Sequence, residues 1–67
     1  MMLMEKGDLL MKLGRNDEAL DVFEGAIDIY PPEGKLWYKK GMALEALDRE
    51  SEAQTSFYMA KKLGYTE

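Results

Sequence analysis

The chain repeats itself with a period of 34 residues, and that period constrains its fold more than any other property. Lys6, Gly7, Leu10, Leu13, Arg15, Glu18, Ala19, Phe23 and Ala26 recur as Lys40, Gly41, Leu44, Leu47, Arg49, Glu52, Ala53, Phe57 and Ala60. Glu33 and Glu67 match where a further copy would begin, and Leu3 with Trp37, Ile29 with Leu63 and Asp17 with Ser51 are near-neutral replacements. Self-similarity at a fixed spacing of roughly 20–50 residues marks a unit that buries its apolar face only by stacking on a neighbour. Units of this kind present extended surfaces for binding rather than catalytic pockets.

Within each period the apolar spacing predicts two helices. The first segment, Met1 to Leu13, places Leu3, Gly7, Leu10 and Leu13 on one stripe, and Gly14 fits a left-handed C-terminal cap. The second carries Ala19, Leu20, Phe23, Ala26, Ile27 and Tyr30 at amphipathic spacing, with Asp17 as its expected N-cap and Pro31-Pro32 as its stop. Pro32 or Glu33 opens a third helix with the stripe Trp37, Gly41, Leu44 and Leu47. Ser51 with Gln54 reads as a capping box for a fourth, whose stripe is Ala53, Phe57, Ala60 and Leu63 and whose stop is Gly64. No strand pattern competes. The expected architecture is all-α: two antiparallel helix-turn-helix repeats, residues 1–33 and 34–67, in one domain.

Composition narrows the function. Ordering 67 residues costs on the order of 100 kcal/mol at about 1.5 kcal/mol each, so nearly all the apolar surface must be used. Without cysteine or histidine the chain has no disulfide staple, usual zinc site, thiol nucleophile or imidazole base. The apolar start, Met1 to Met4, is interrupted by Glu5, Lys6 and Asp8, which makes it too short for a signal-peptide core or a membrane span. A cytoplasmic location is therefore expected. A net charge of −4 argues against a general nucleic-acid binder. Six acids and no base lie between Asn16 and Gly34, whereas Lys35, Lys39 and Lys40 follow within six residues.

The spacing of small and aromatic residues resembles the tetratricopeptide repeat. In the second unit Trp37, Gly41, Leu44, Ala53 and Phe57 fill the positions of that family's tryptophan, glycine, tyrosine, alanine and phenylalanine. The first unit supplies Leu3, Gly7, Leu10, Ala19 and Phe23, and ends on Pro31 where the family has its proline. Lys6 and Lys40 stand where the family prefers leucine, and Tyr65 stands in place of the second proline. The resemblance implies helix pairs stacked as a short right-handed α–α superhelix. It also implies a non-catalytic protein–protein interaction module, with no cofactor or metal, that binds a peptide or protein segment on the concave face formed by the first helix of each pair.

Carried over position by position, that face takes Met1, Met4, Asp8, Met11 and Lys12 from the first unit and Lys35, Tyr38, Lys39, Met42 and Glu45 from the second. The residues expected to touch a partner are Met4, Met11, Lys35, Tyr38, Lys39 and Met42. Methionine is adaptable and suits surfaces that accept varied partners, although it equally fills irregular gaps in a core. Lys35 and Lys39 are four apart, a spacing that can hold carboxylates, and the run from Lys35 to Leu44 resembles the third repeat of co-chaperones that clamp C-terminal carboxylates. Ordinary solvated lysines account for the same spacing, and Glu5 stands where that clamp needs an asparagine. Asp17, Asp21, Glu24 and Asp28 read as a solvated convex face, and Arg15 and Arg49 as ligands of helix-end carbonyls. The alternative function is structural self-assembly, as a homo-oligomer or as one slice of a longer repeat array. Phe57, Tyr58, Met59 and Leu63 of the last helix would then form the interface of a homodimer or higher oligomer.

Overall fold

The computed structural model describes residues 3–29 and 33–65, with side chains from residue 5 onward. Four helices follow in order: α1 (Leu3–Lys12), α2 (Asn16–Ile29), α3 (Gly34–Ala46) and α4 (Glu50–Lys62). No strand occurs among the described residues. Met1, Tyr30, Pro31, Pro32 and Glu67 lie outside the described residues, as do the side chains of Leu3 and Met4.

The turns within each pair are made by one left-handed residue. Gly14 (φ 77°) follows α1, and Asp48 (φ 61°) holds the same repeat position after α3. The Arg15 N–H donates to the Leu10 carbonyl at 2.9 Å and the Gly14 N–H to Met11 at 3.0 Å, a Schellman motif. Arg49 and Asp48 repeat it onto Leu44 and Glu45 at 2.9 and 3.0 Å, and Gly64 (φ 91°) with Tyr65 repeats it after α4.

This motif corrects three expectations. The residue after the left-handed one is already the N-cap of the next helix: the Arg15 and Arg49 carbonyls accept from Ala19 and Ala53, each at 3.0 Å. The helices therefore begin at Asn16 and Glu50, so Asp17 lies inside the first turn rather than at the cap. Ser51 likewise lies inside α4, whose N-cap, Arg49, makes no side-chain capping bond, so the Ser51–Gln54 box does not form. Neither guanidinium turns to helix-end carbonyls. Each forms a two-pronged ion pair with the glutamate three residues on. Arg15 Nη2 donates to Glu18 Oε1 at 2.7 Å, and Arg49 donates to Glu52 at 2.6 and 2.9 Å.

Glycine permits the close approach within each pair. A Cβ on Gly41 would meet the Phe57 ring at 2.6 Å, and Gly7 stands over Phe23 in the same way. Ala19, Leu20, Phe23, Ala43, Leu44 and Ala53 form one buried cluster, against which Leu10, Met11, Leu47 and Phe57 pack. Phe23 and Leu44 are its largest fully buried side chains. Because α3 packs on α2 as well as α4, it buries Leu36 and Ala43 in addition to the stripe expected of it. Among the described residues the first helix packs chiefly on α2. Leu13, expected on its buried stripe, is accordingly 60% exposed, whereas the matching Leu47 packs on the core.

Candidate functional site

α1 and α3 both pack on α2, and a salt bridge of 3.1 Å from Lys39 Nζ to Asp8 Oδ1 links them. Asp8 and Met11 lie one turn apart on α1, and Lys35, Tyr38 and Met42 follow one another at helical spacing on α3. The residues expected on this face include half-buried Met11 and Met42 and an exposed Lys35. Met11 also touches the core cluster, so it fills a gap while presenting an edge to solvent. Met4 sits on α1, but its side chain lies outside those described.

Tyr38 is engaged on the flank of this face. Its ring lies 5.4 Å from Phe57 and 5.0 Å from Tyr65, both tilted, an arrangement in which aromatic quadrupoles attract. Tyr65 in turn closes over the start of α3, so that a Cβ on Gly34 would meet Tyr65 Cβ at 2.6 Å. The residue that replaces the family's proline thus packs back onto its own helix pair. The two lysines of the sequence-level pair differ in kind: Lys35 is exposed, and Lys39 is half-buried and neutralised by Asp8.

On the opposite side, Glu24, Trp37, Lys40, Leu44, Glu52, Thr55 and Ser56 line a shallow cleft between α2, α3 and α4. Lys40 Nζ lies 3.4 Å from Glu24 Oε2 and 5.1 Å from the centroid of Trp37. Glu24, read from sequence as part of a solvated face, therefore holds α2 to α3. Asp17, Asp21 and Asp28 remain exposed. The adjacent Lys39 and Lys40 reach Asp8 and Glu24 respectively, because neighbours on a helix diverge by about 100°. That divergence was the signal available in the sequence.

The ion pairs at the turns set the perturbed ionisations. Its hydrogen bond to Arg15 holds the Glu18 carboxyl below the ordinary value of 4.5, and Arg49 does the same for Glu52. Both guanidiniums are pushed up in return, chiefly by the same hydrogen bonds. Among the described residues no group of three histidine, cysteine or acidic side chains could hold a metal, and no helix is long and apolar enough to cross a membrane.

On α4, Phe57 is turned inward against Gly41 and Tyr38, and Met59 is half-buried. Tyr58 and Leu63 are 65% and 39% exposed.

Helix pairs stacked in register on a 34-residue period, each closed by glycine against phenylalanine, define an α-helical repeat protein. The chain belongs to the tetratricopeptide repeat family, whose model matches residues 2–33 and again 34–66. No curated protein and no solved structure matches it significantly. Repeats of this family generally mediate protein–protein interaction.

Proposed function

We propose that the chain is a non-catalytic interaction module that receives an extended segment of a partner protein along the α1/α3 face. The salt bridge between Asp8 and Lys39 carries this reading, because it links the two helices that bear Met11, Met42 and Lys35. Apolar side chains of the partner would lie on the two methionines, whose thioethers adapt to varied shapes. A carboxylate on the partner would meet Lys35 as a single charge contact, since Lys39 is already neutralised by Asp8.

An acidic C-terminal peptide with apolar side chains tests this by titration calorimetry. Lys35→Ala and Met42→Ala should each weaken binding, adding Lys39→Ala to Lys35→Ala should weaken it further by leaving the Asp8 carboxylate unpaired, and affinity should fall as salt rises. Binding that survives all of these substitutions refutes the placement. A second reading, homo-oligomerisation through α4, is favoured by the exposure of Tyr58 and Leu63. It predicts a dimer or larger mass by light scattering at high micromolar concentration, and a monomer in Tyr58→Glu.

A further inference from the structure

We propose that the cleft between α2, α3 and α4 is a second binding site, and that it takes an arginine side chain of a basic partner segment against Trp37 and Glu24.

The cleft belongs to the junction of the two units. Glu24 of α2 stands on one wall, Glu52, Thr55 and Ser56 of α4 on the other, and Trp37, Lys40 and Leu44 of α3 lie between them. No described residue of α1 lines it, so a unit stacked before α1 would leave it open. α2 bonds α3 through Glu24, whose counterpart one period later is Tyr58. A unit stacked after α4 would take the side of that helix that carries Tyr58, and Tyr58 does not line the cleft. The opening is therefore a property of the junction and not of either end.

Size, ring and charge specify the occupant. The cleft holds about 220 Å³, below the roughly 300–1,000 Å³ of a site that encloses a whole small molecule, so its scale is that of one side chain. Its indole already attracts a cation, since Lys40 Nζ lies 5.1 Å from the Trp37 centroid. Lys40 and Arg49 balance Glu24 and Glu52. Asp21 and Asp28, exposed three residues before and four after Glu24 on the same face of α2, add negative charge with which no described base pairs. Ser56 points to a ligand independently. It is 2% exposed and lines the cleft, yet its hydroxyl makes no hydrogen bond among the described residues, whereas Thr55 beside it bonds the Ser51 carbonyl at 3.2 Å. No fully buried side-chain oxygen is left without a partner among the described residues, so the Ser56 hydroxyl opens into the cleft. An entering donor would satisfy it.

Arginine fits this set better than lysine. Its planar guanidinium stacks on an indole, and its fork of N–H donors can serve a carboxylate and a hydroxyl together, whereas an ammonium is a strongly hydrated point charge. The guanidinium would lie against Trp37 beside Lys40, donating to Glu24 and to the Ser56 hydroxyl, while the rest of the basic segment passes over Asp21 and Asp28. The α1/α3 face and this cleft would then select segments of opposite charge.

Trp37 is the chain's one tryptophan, so its fluorescence reports on the cleft directly. The test titrates the full chain with a capped peptide of one arginine between two lysines, and with the all-lysine peptide of equal length and charge. The arginine peptide should shift the emission and bind at least about fivefold more tightly, with amide shifts gathered on Glu24, Trp37, Lys40 and Ser56. Trp37→Leu and Ser56→Ala leave the charge unchanged. Each should weaken binding of the arginine peptide, Trp37→Leu at least about fivefold by calorimetry. Leu3 holds the position that matches Trp37, and an unchanged melting curve shows the fold intact. Should Trp37→Leu unfold, Ser56→Ala and Glu24→Gln decide: Glu24→Gln should cost more affinity than Asp28→Asn, the same change of charge one turn away. Three results would overturn the proposal: equal binding of the two peptides, folded variants of Trp37, Glu24 and Ser56 that bind like the wild type, or shifts confined to the α1/α3 face or absent. Lys35→Ala and Met42→Ala should leave the arginine peptide bound, so the two surfaces fail independently.

Discussion

Gly25 and Gly41 are both helical glycines, and the structure predicts opposite consequences for replacing them with alanine. At Gly25 an added Cβ meets nothing within 4 Å. Gly25→Ala should then stabilise the fold by about 0.5–1 kcal/mol, because alanine restricts the unfolded chain and favours helix. At Gly41 the same Cβ would lie 2.6 Å from Phe57 Cε1 and 2.7 Å from Cδ1. Carbon atoms pack at about 3.5–4.0 Å, so the ring must recede by roughly 1 Å. It has little room to do so, with Tyr38 stacked 5.4 Å away on one side and the core cluster on the other. Overpacking of this kind costs about 1–3 kcal/mol, which outweighs the gain of up to about 1 kcal/mol in helix propensity. The two variants should differ by about 2 kcal/mol. For a domain of this size each kcal/mol moves the melting temperature by about 4–8 °C, so thermal unfolding followed by circular dichroism should separate them by at least about 8 °C. In a Phe57→Leu background the penalty at Gly41 should vanish. If Gly41→Ala melts as high as Gly25→Ala, the close glycine–phenylalanine contact is not what holds the second pair together.

Three further outcomes follow from the turns and the stacking. Asp48→Gly should raise stability by about 0.5–1 kcal/mol in urea unfolding, since it relieves a side chain held at φ 61°; Gly14→Ala, at φ 77°, should lower it by a similar amount. Glu18 and Glu52 have folded pKa values below their unfolded ones, so their contribution is present above about pH 4.5 and is lost as pH falls through the folded values. Replacing both with glutamine should flatten the acid limb of the stability curve, and a limb of unchanged slope would show the pairs to be inert. Ala43→Asp would place a charge at a fully buried position between the units and should cost several kcal/mol, read as a collapsed unfolding midpoint.

The sequence made the periodicity legible, and with it the four helices, the left-handed glycines and the glycine–phenylalanine pairing. It was less informative wherever a position depends on the offset between units. Leu36 and Ala43 fall off the single stripe expected of α3, and their burial follows only once α3 is known to touch two helices. Leu13 carries the same residue type as Leu47, yet it is 60% exposed where Leu47 packs on the core. The bridges from Lys39 to Asp8 and from Lys40 to Glu24 depend on how far the superhelix displaces one pair relative to the next, a quantity that the 34-residue period does not encode. Both misplaced N-caps, Asp17 for Arg15 and Ser51 for Arg49, were two residues late because the Schellman turn reaches the helix before the polar residues do.

The interaction surface itself is tested most directly by mapping where a bound peptide touches the chain. Amide shifts recorded on titration with the acidic C-terminal peptide should concentrate on Asp8, Met11, Lys35, Lys39 and Met42, and should leave Asp21 and Asp28 of α2 and Thr55 of α4 unmoved. Shifts that instead fall on α2 and α4, with the α1/α3 residues silent, would contradict the assignment of partner binding to that face.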